Sequence, residues 1–127
     1  MTLKILLDTN IVLWAAMGSK KLSREAKRAI ERADSVHVSS VSIWEIGIKV
    51  ALGKLDVDVD EFLRSLRARS FEQLSLTWEH GRMLGRLPLH HRDPFDRMLV
   101  AQAMSEPLVL LTHDETLSAY GDLIKIA

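Results

Sequence analysis

Asp8 stands directly after the apolar run Leu3 to Leu7, and Asp114 follows the run Leu108 to Leu111, with Thr112 and His113 between. Short apolar runs of this kind read as buried strands, so each acid is expected where a strand stops. In an open parallel sheet, ligands gather outside the carboxyl ends of the strands, which aims both carboxylates into one crevice. Taken singly, either is explained by an ordinary helix cap at a strand-to-helix turn. Asp96 heads a helical face that continues through Leu99, Val100 and Ala103. An acid there suits a helix N-terminus, but Asp93 already offers the better cap, and this favours a ligand role for Asp96. Glu45 is the single acid in the apolar run Val41 to Ile48, and a buried carboxylate needs a partner. Lys49, four residues on, supplies one as a helical ion pair; a metal ion is the alternative.

Four acids, two at strand ends and two on inward helix faces, form a donor set for a hard cation. With no cysteine in the chain, any metal must use oxygen or imidazole ligands, and Mg2+ or Mn2+ fits this set better than zinc. Such an ion polarises a phosphoryl oxygen and acidifies a bound water, and two ions about 4 Å apart would stabilise attacking and leaving oxygens together. Phosphodiester hydrolysis is the reaction this chemistry suits.

Strands and helices in alternation must position these groups. Leu3 to Leu7 reads as the first strand and Asn10 to Met17 as a helix stopped by Gly18. Ser23 caps Arg24 to Ala33, and Val36 to Ser39 is the second strand. In Val41 to Leu52 apolar residues nearly encircle a helix that Gly53 ends, which predicts a largely buried element. Asp58 and Glu61 have the spacing of a reciprocal capping box before a helix over Val59 to Ala68. Phe71 to Leu74 is a third strand and Trp78 to Leu84 a short helix. Asp93-Pro94 is a helix start with the N-cap first and proline at the first helical position, and the helix runs on to Ser105. Leu108 to Leu111 and Leu123 to Ile126 complete a sheet of four to five strands. This order implies an α/β domain spanning 1–127, its sheet mostly parallel and covered by helices on both faces.

The 127 residues, 47% apolar and 27% charged, can bury a core and do not resemble a disordered chain. Seventeen basic and seventeen acidic residues cancel, so any nucleic-acid site must be local rather than a field of the whole molecule. Arg86, Arg92 and Arg97, with Arg82 and His80, His90 and His91, make a basic stretch in the second half. These residues are either such a local RNA-binding surface or solvated helix faces. The apolar start is interrupted by Lys4 and reaches Asp8 too soon for a signal peptide, and the run Ile11 to Met17 is too short to span a membrane. The expectation is a cytoplasmic protein.

With these residues in place, the chain resembles PIN-domain proteins, and within them the VapC-type toxin ribonucleases of type II toxin-antitoxin modules. Four segments carry the resemblance: Leu6-Leu7-Asp8-Thr9-Asn10, Ser39-Ser40-Val41-Ser42-Ile43-Trp44-Glu45-Ile46, His91-Arg92-Asp93-Pro94-Phe95-Asp96-Arg97 and Leu111-Thr112-His113-Asp114. The resemblance implies that Asp8, Glu45, Asp96 and Asp114 are the catalytic quartet binding Mg2+ or Mn2+, supported by the Thr112 hydroxyl, with Asn10 and Ser40 as further polar groups around it. Asp93 is assigned to capping, with indirect metal or RNA contact as the alternative. The family resemblance also implies a structured RNA substrate, a homodimer and a small cognate antitoxin, with Trp14 and Trp44 either in the core or on the surfaces such partners use.

Three other readings compete. A phosphoacceptor of the haloacid-dehalogenase kind needs a second acid two residues after the first, where this chain has Asn10, and a receiver gives Glu45 no role. A zinc hydrolase using His90, His91 and His113 lacks the four-residue helical spacing of a typical zinc pair. A non-catalytic PIN-like binding module has no need of four intact acids.

Overall fold

The computed structural model describes residues 3–127. Five strands, β1 (Lys4–Leu7), β2 (Ser35–Ser39), β3 (Glu72–Leu74), β4 (Val109–Thr112) and β5 (Ile124–Ile126), form one sheet in the order β3-β2-β1-β4-β5. The sheet was expected to be mostly parallel, and all four pairings are parallel. The chain winds outward from β1 to β3, returns across the sheet, and lays β4 on the other side of β1. The strand order therefore reverses at the β1–β4 boundary, the switch point at which such sheets open a crevice.

Strand pleating sends alternate residues to opposite faces. Ile5 and Leu7 enter one core with Ile11, Val12, Ile46, Phe62 and Leu66. Leu6 enters the other with Leu99, Val100, Leu110 and Leu117. Helices α1 (Thr9–Met17), α2 (Arg24–Arg32) and α4 (Val59–Ala68) supply the first layer, while α5 (Trp78–Arg86) and α6 (Pro94–Ser105) supply the second. Helix α3 (Ser40–Ala51) gives Ile46 to the first core and Val41 to the second. Gly18 closes α1 in the left-handed conformation (φ 61°), which glycine adopts without a Cβ penalty. Among the described residues no helix is long and apolar enough to cross a membrane.

Several local features depart from the sequence expectation. Helix α3 is not buried all round: Trp44 is 61% and Leu52 63% exposed, and with Ile48 they form an i, i+4, i+8 apolar stripe facing outward. Asp58 accepts from the Glu61 amide at 3.2 Å, but the capping box with both halves closed is at α5, where Thr77 and His80 bond each other's amides at 3.3 and 3.0 Å. Histidine there does the work glutamate or glutamine usually does. A 3-10 helix over Glu115–Tyr120, not foreseen from sequence, fills the β4–β5 connection.

His80 also anchors the second layer. With Nδ1 accepting from Thr77, its Nε2–H donates to Glu106 Oε2 at 2.6 Å. The Gln102 amide approaches Nδ1 at 3.3 Å and accepts from the buried Ser39 hydroxyl at 2.5 Å. This chain of bonds ties α5, α6 and the end of β2 together with each member partnered among the described residues, and such networks cost most when half removed. His80→Phe should therefore lower the urea-unfolding free energy by roughly 1–3 kcal/mol for each polar group left buried and unpaired. Glu106→Gln keeps an acceptor carbonyl and should cost under about 1 kcal/mol.

Candidate metal centre

The β1–β4 pairing sets the centre of the site. Leu7 lies opposite Leu111, and the Asp8 amide donates to Leu111 O at 2.9 Å. The next side chains along the two strands therefore meet: Thr112 Oγ1 donates to Asp8 Oδ2 at 2.6 Å, and the Thr9 amide donates to Asp8 Oδ1 at 2.7 Å. Each Asp8 oxygen still has acceptor capacity left. Burial is the main reason its pKa lies above the ordinary carboxylate value, with the charges of Glu45 and Asp114 adding to the rise against those two hydrogen bonds.

Thr9 links Asp8 to Glu45. Its hydroxyl donates to Glu45 Oε1 at 2.9 Å and accepts from the Ser42 hydroxyl at 2.9 Å. Glu45 Oε2 takes the Lys49 ammonium at 2.8 Å, so the expected i, i+4 ion pair is present. That pair lies within the acidic site, because Asp93 and Asp96 also help to raise the Lys49 pKa, behind the larger effect of Glu45.

Asp93 caps α6, accepting from the amides of Phe95 and Asp96 at 2.9 and 3.1 Å. Asp96, in the first turn, turns inward and meets His91 Nε2 at 2.9 Å. Its pKa is pushed up to about 6, first by burial and then by the Asp8 charge, with His91 opposing. Asp114 caps the 3-10 helix and takes both the amide and the hydroxyl of Thr116 on Oδ1, at 3.0 and 2.6 Å. The hydroxyl bond is the chief reason its pKa lies below the ordinary value. Asp114 Oδ2 is 3.8 Å from the same His91 nitrogen. Ligand atoms of His91, Asp96 and Asp114 all fall within 4.8 Å of one another. Crowded, partly buried carboxylates with an imidazole nitrogen beside them fit a divalent cation of the magnesium or manganese kind.

The remaining candidates are placed as follows. Asn10 is exposed on α1. The Ser40 hydroxyl accepts from the Leu76 amide at 3.2 Å and holds the β3–α5 loop, so the serine that joins the acidic network is Ser42. Arg86 and Arg92 are exposed. Arg97 instead turns its guanidinium inward to Leu87 O at 3.3 Å, its buried Nε having no partner among the described residues, so it braces the α5–α6 connection rather than offering a surface contact. Of the three histidines of the zinc reading, His90 packs edge-on against Tyr120 and His113 against Trp14, whereas His91 faces the acids. Trp14 is half-buried against the first core; Trp44 is exposed with its ring edge-on to Phe95.

Thr9, Ser42 and Thr116 are the site groups that sequence reasoning missed, and His91 was weighed only within the basic stretch and as a zinc ligand with His90 and His113, not as a neighbour of the four acids. Ser42 had a usable signal, lying three residues before Glu45 on the same helical face. His91 had none, since no periodicity relates a loop residue to a helix that starts after it.

An α/β domain with its strand order reversing at a pocket of carboxylates is the class that fold and site define together. Residues 5–123 match the PIN domain family, and the chain belongs to it. Over 119 residues it is 27% identical to Ribonuclease VapC22 of Mycobacterium tuberculosis, with 91% of each chain covered. Its fold is that of a chain in VapBC2 from Rickettsia felis bound to a DNA fragment from their promoter (TM-score 0.71, 14% identity, 98% of each chain). It is equally that of a chain in DNA-bound VapBC from Salmonella typhimurium (TM-score 0.71, 19% identity, 98% of each chain).

The raised Asp96 pKa has a consequence for the metal-free protein. Folded chains hold this proton more tightly than the ordinary 3.8 allows, up to about 6. The resulting stabilisation is complete below the unfolded value and is lost as pH rises through about 6. In chelator, Asp96→Asn should therefore gain urea stability relative to the unaltered protein between about pH 4 and pH 7. A difference that does not change with pH would contradict this assignment.

Proposed function

We propose that this protein is a metal-dependent endoribonuclease of the VapC toxin type, hydrolysing phosphodiester bonds in structured RNA at Asp8, Glu45, Asp96 and Asp114 and neutralised by a small antitoxin. The observation that supports this reading is a set of shared hydrogen bonds near the β1–β4 switch point: Thr9 joins Asp8 to Glu45, Thr112 joins Asp8 to the Asp114 amide, Thr116 joins Asp114 to His91, and His91 meets Asp96. The 27% identity with a ribonuclease over most of the chain supports the reaction class.

A bound Mg2+ or Mn2+ would supply phosphoryl polarisation and an acidified water. The chain's own groups do the rest. Thr112 and the Thr9 amide fix the Asp8 carboxylate, leaving lone pairs directed to the ligand. Thr9 and Lys49 each hold one oxygen of the buried Glu45 carboxylate and fix its orientation. Thr116 orients Asp114. Exposed Arg86 and Arg92 are the candidates for RNA phosphate contact. The outward stripe of Trp44, Ile48 and Leu52 supports a protein partner, since such apolar surface is costly to leave in water. Solved relatives of the same fold include a toxin-antitoxin complex from Klebsiella pneumoniae, which is in keeping with that partner.

Purified protein free of any partner should cleave structured RNA in Mg2+ or Mn2+ and not in chelator. Asp8→Asn and Asp96→Asn should each lose on the order of 10³-fold, corresponding to about 4 kcal/mol of charge stabilisation. Cleavage that is equal in the variants and the unaltered protein would refute the site. Thr112→Val keeps every acid but frees the Asp8 carboxylate, and should lower cleavage about 10- to 100-fold.

A further inference from the structure

His91 lies in the loop between α5 and α6, outside the four acids, yet its Nε2 points between two of them, 2.9 Å from Asp96 Oδ2 and 3.8 Å from Asp114 Oδ2. A simple ion pair needs one carboxylate. Donor atoms around one six-coordinate ion at about 2.1 Å sit about 3 Å apart when adjacent and about 4.2 Å apart when opposite. The two His91 distances fall within that span.

The other side of the ring is built as ligating histidines usually are. Thr116 Oγ1 gives its single proton to Asp114 Oδ1 at 2.6 Å, so towards His91 Nδ1, 3.4 Å away, it can only accept. Nε2 now gives a proton to Asp96 at 2.9 Å; a cation taking that proton's place would leave the ring proton on Nδ1, where Thr116 Oγ1 can accept it, the support ligating histidines usually have. The His91 amide donates to the Tyr120 hydroxyl at 3.1 Å, and His90 packs on that same ring, so the loop is held at two consecutive residues.

We propose that His91 is a direct ligand to the catalytic cation, making a mixed imidazole–carboxylate site with Asp96 and Asp114 in place of an all-oxygen one. This rests on the metal-dependent reading above and deepens it. A nitrogen donor favours a first-row transition ion over magnesium, which takes water or oxygen at little loss.

Two binding measurements test this without reference to cleavage. In pulsed electron paramagnetic resonance on the Mn2+-loaded protein, the unaltered chain should show histidine nitrogen modulation. That modulation should vanish in His91→Gln and persist in His113→Gln, where the altered histidine is the neighbour of Asp114. By titration, His91→Gln should weaken Mn2+ binding about tenfold while changing Mg2+ binding less than about twofold. Mn2+ bound by the unaltered protein with no nitrogen modulation would overturn His91 ligation and leave the acidic site standing, a result that does not depend on any variant folding. Loss of modulation in His113→Gln alone would also overturn it. Failure of the unaltered protein to bind either ion would overturn both this inference and the metal-dependent function.

Discussion

Like charges forced together at the carboxyl ends of β1 and β4 are the constraint on which the rest of the structure depends. Burial at this place disfavours the charged forms of Asp8 and Asp96 most, and the charges of neighbouring acids add to that cost. The fold offsets this with hydrogen-bond donors. Thr112 and the Thr9 amide serve Asp8, Thr9 and Lys49 serve Glu45, and Thr116 serves Asp114. Asp8 and Asp96 nonetheless keep raised pKa values. A charge imbalance persists that a divalent cation would cancel, so the site is less stable without its ligand than a neutral one would be.

Strain of this kind is tolerable only on a stiff frame. Parallel pairing of β1 with β2 and β4 fixes Asp8 and Thr112 by backbone geometry. Asp96 needs a different support, because it sits on a helix. Helix α6 carries Gln102 and is followed by Glu106, and both engage buried His80 on α5. The end of α6 far from the acids is thereby locked, and Asp93 pins the near end by capping it. Tyr120 completes the arrangement, reaching from the C-terminal segment to the amide of His91.

Much of this was legible in the residues. Strand runs that stop at an acid placed Asp8 and Asp114 beyond the carboxyl ends of neighbouring strands, because the end of an apolar run reports where burial ends. Asp93-Pro94 placed the start of α6 for the same kind of local reason: proline and an acidic cap each satisfy a helix N-terminus. The burial of α3 was misjudged, since the composition of a helix does not say whether its whole circumference is covered, and Trp44 and Leu52 lie outward. Arg97 looked like its neighbours in sequence and was placed inward only by packing against the α5–α6 connection. His91 and Thr116 join the site through contacts between loops, which no spacing rule encodes. Local chemistry can be read from a chain; convergence of loops needs the fold.

The central claim is that these acids form a cation site within the folded chain, and metal-linked stability tests it most directly. Ligand bound only by the native state raises the unfolding midpoint as its concentration rises above its dissociation constant. The account predicts that Mn2+ raises the thermal midpoint of the unaltered protein progressively, and that Asp8→Asn and Asp96→Asn, already relieved of repulsion, show little or no rise. A midpoint of the unaltered protein that does not respond to Mn2+ or Mg2+, or a rise equally large in both variants, would contradict it.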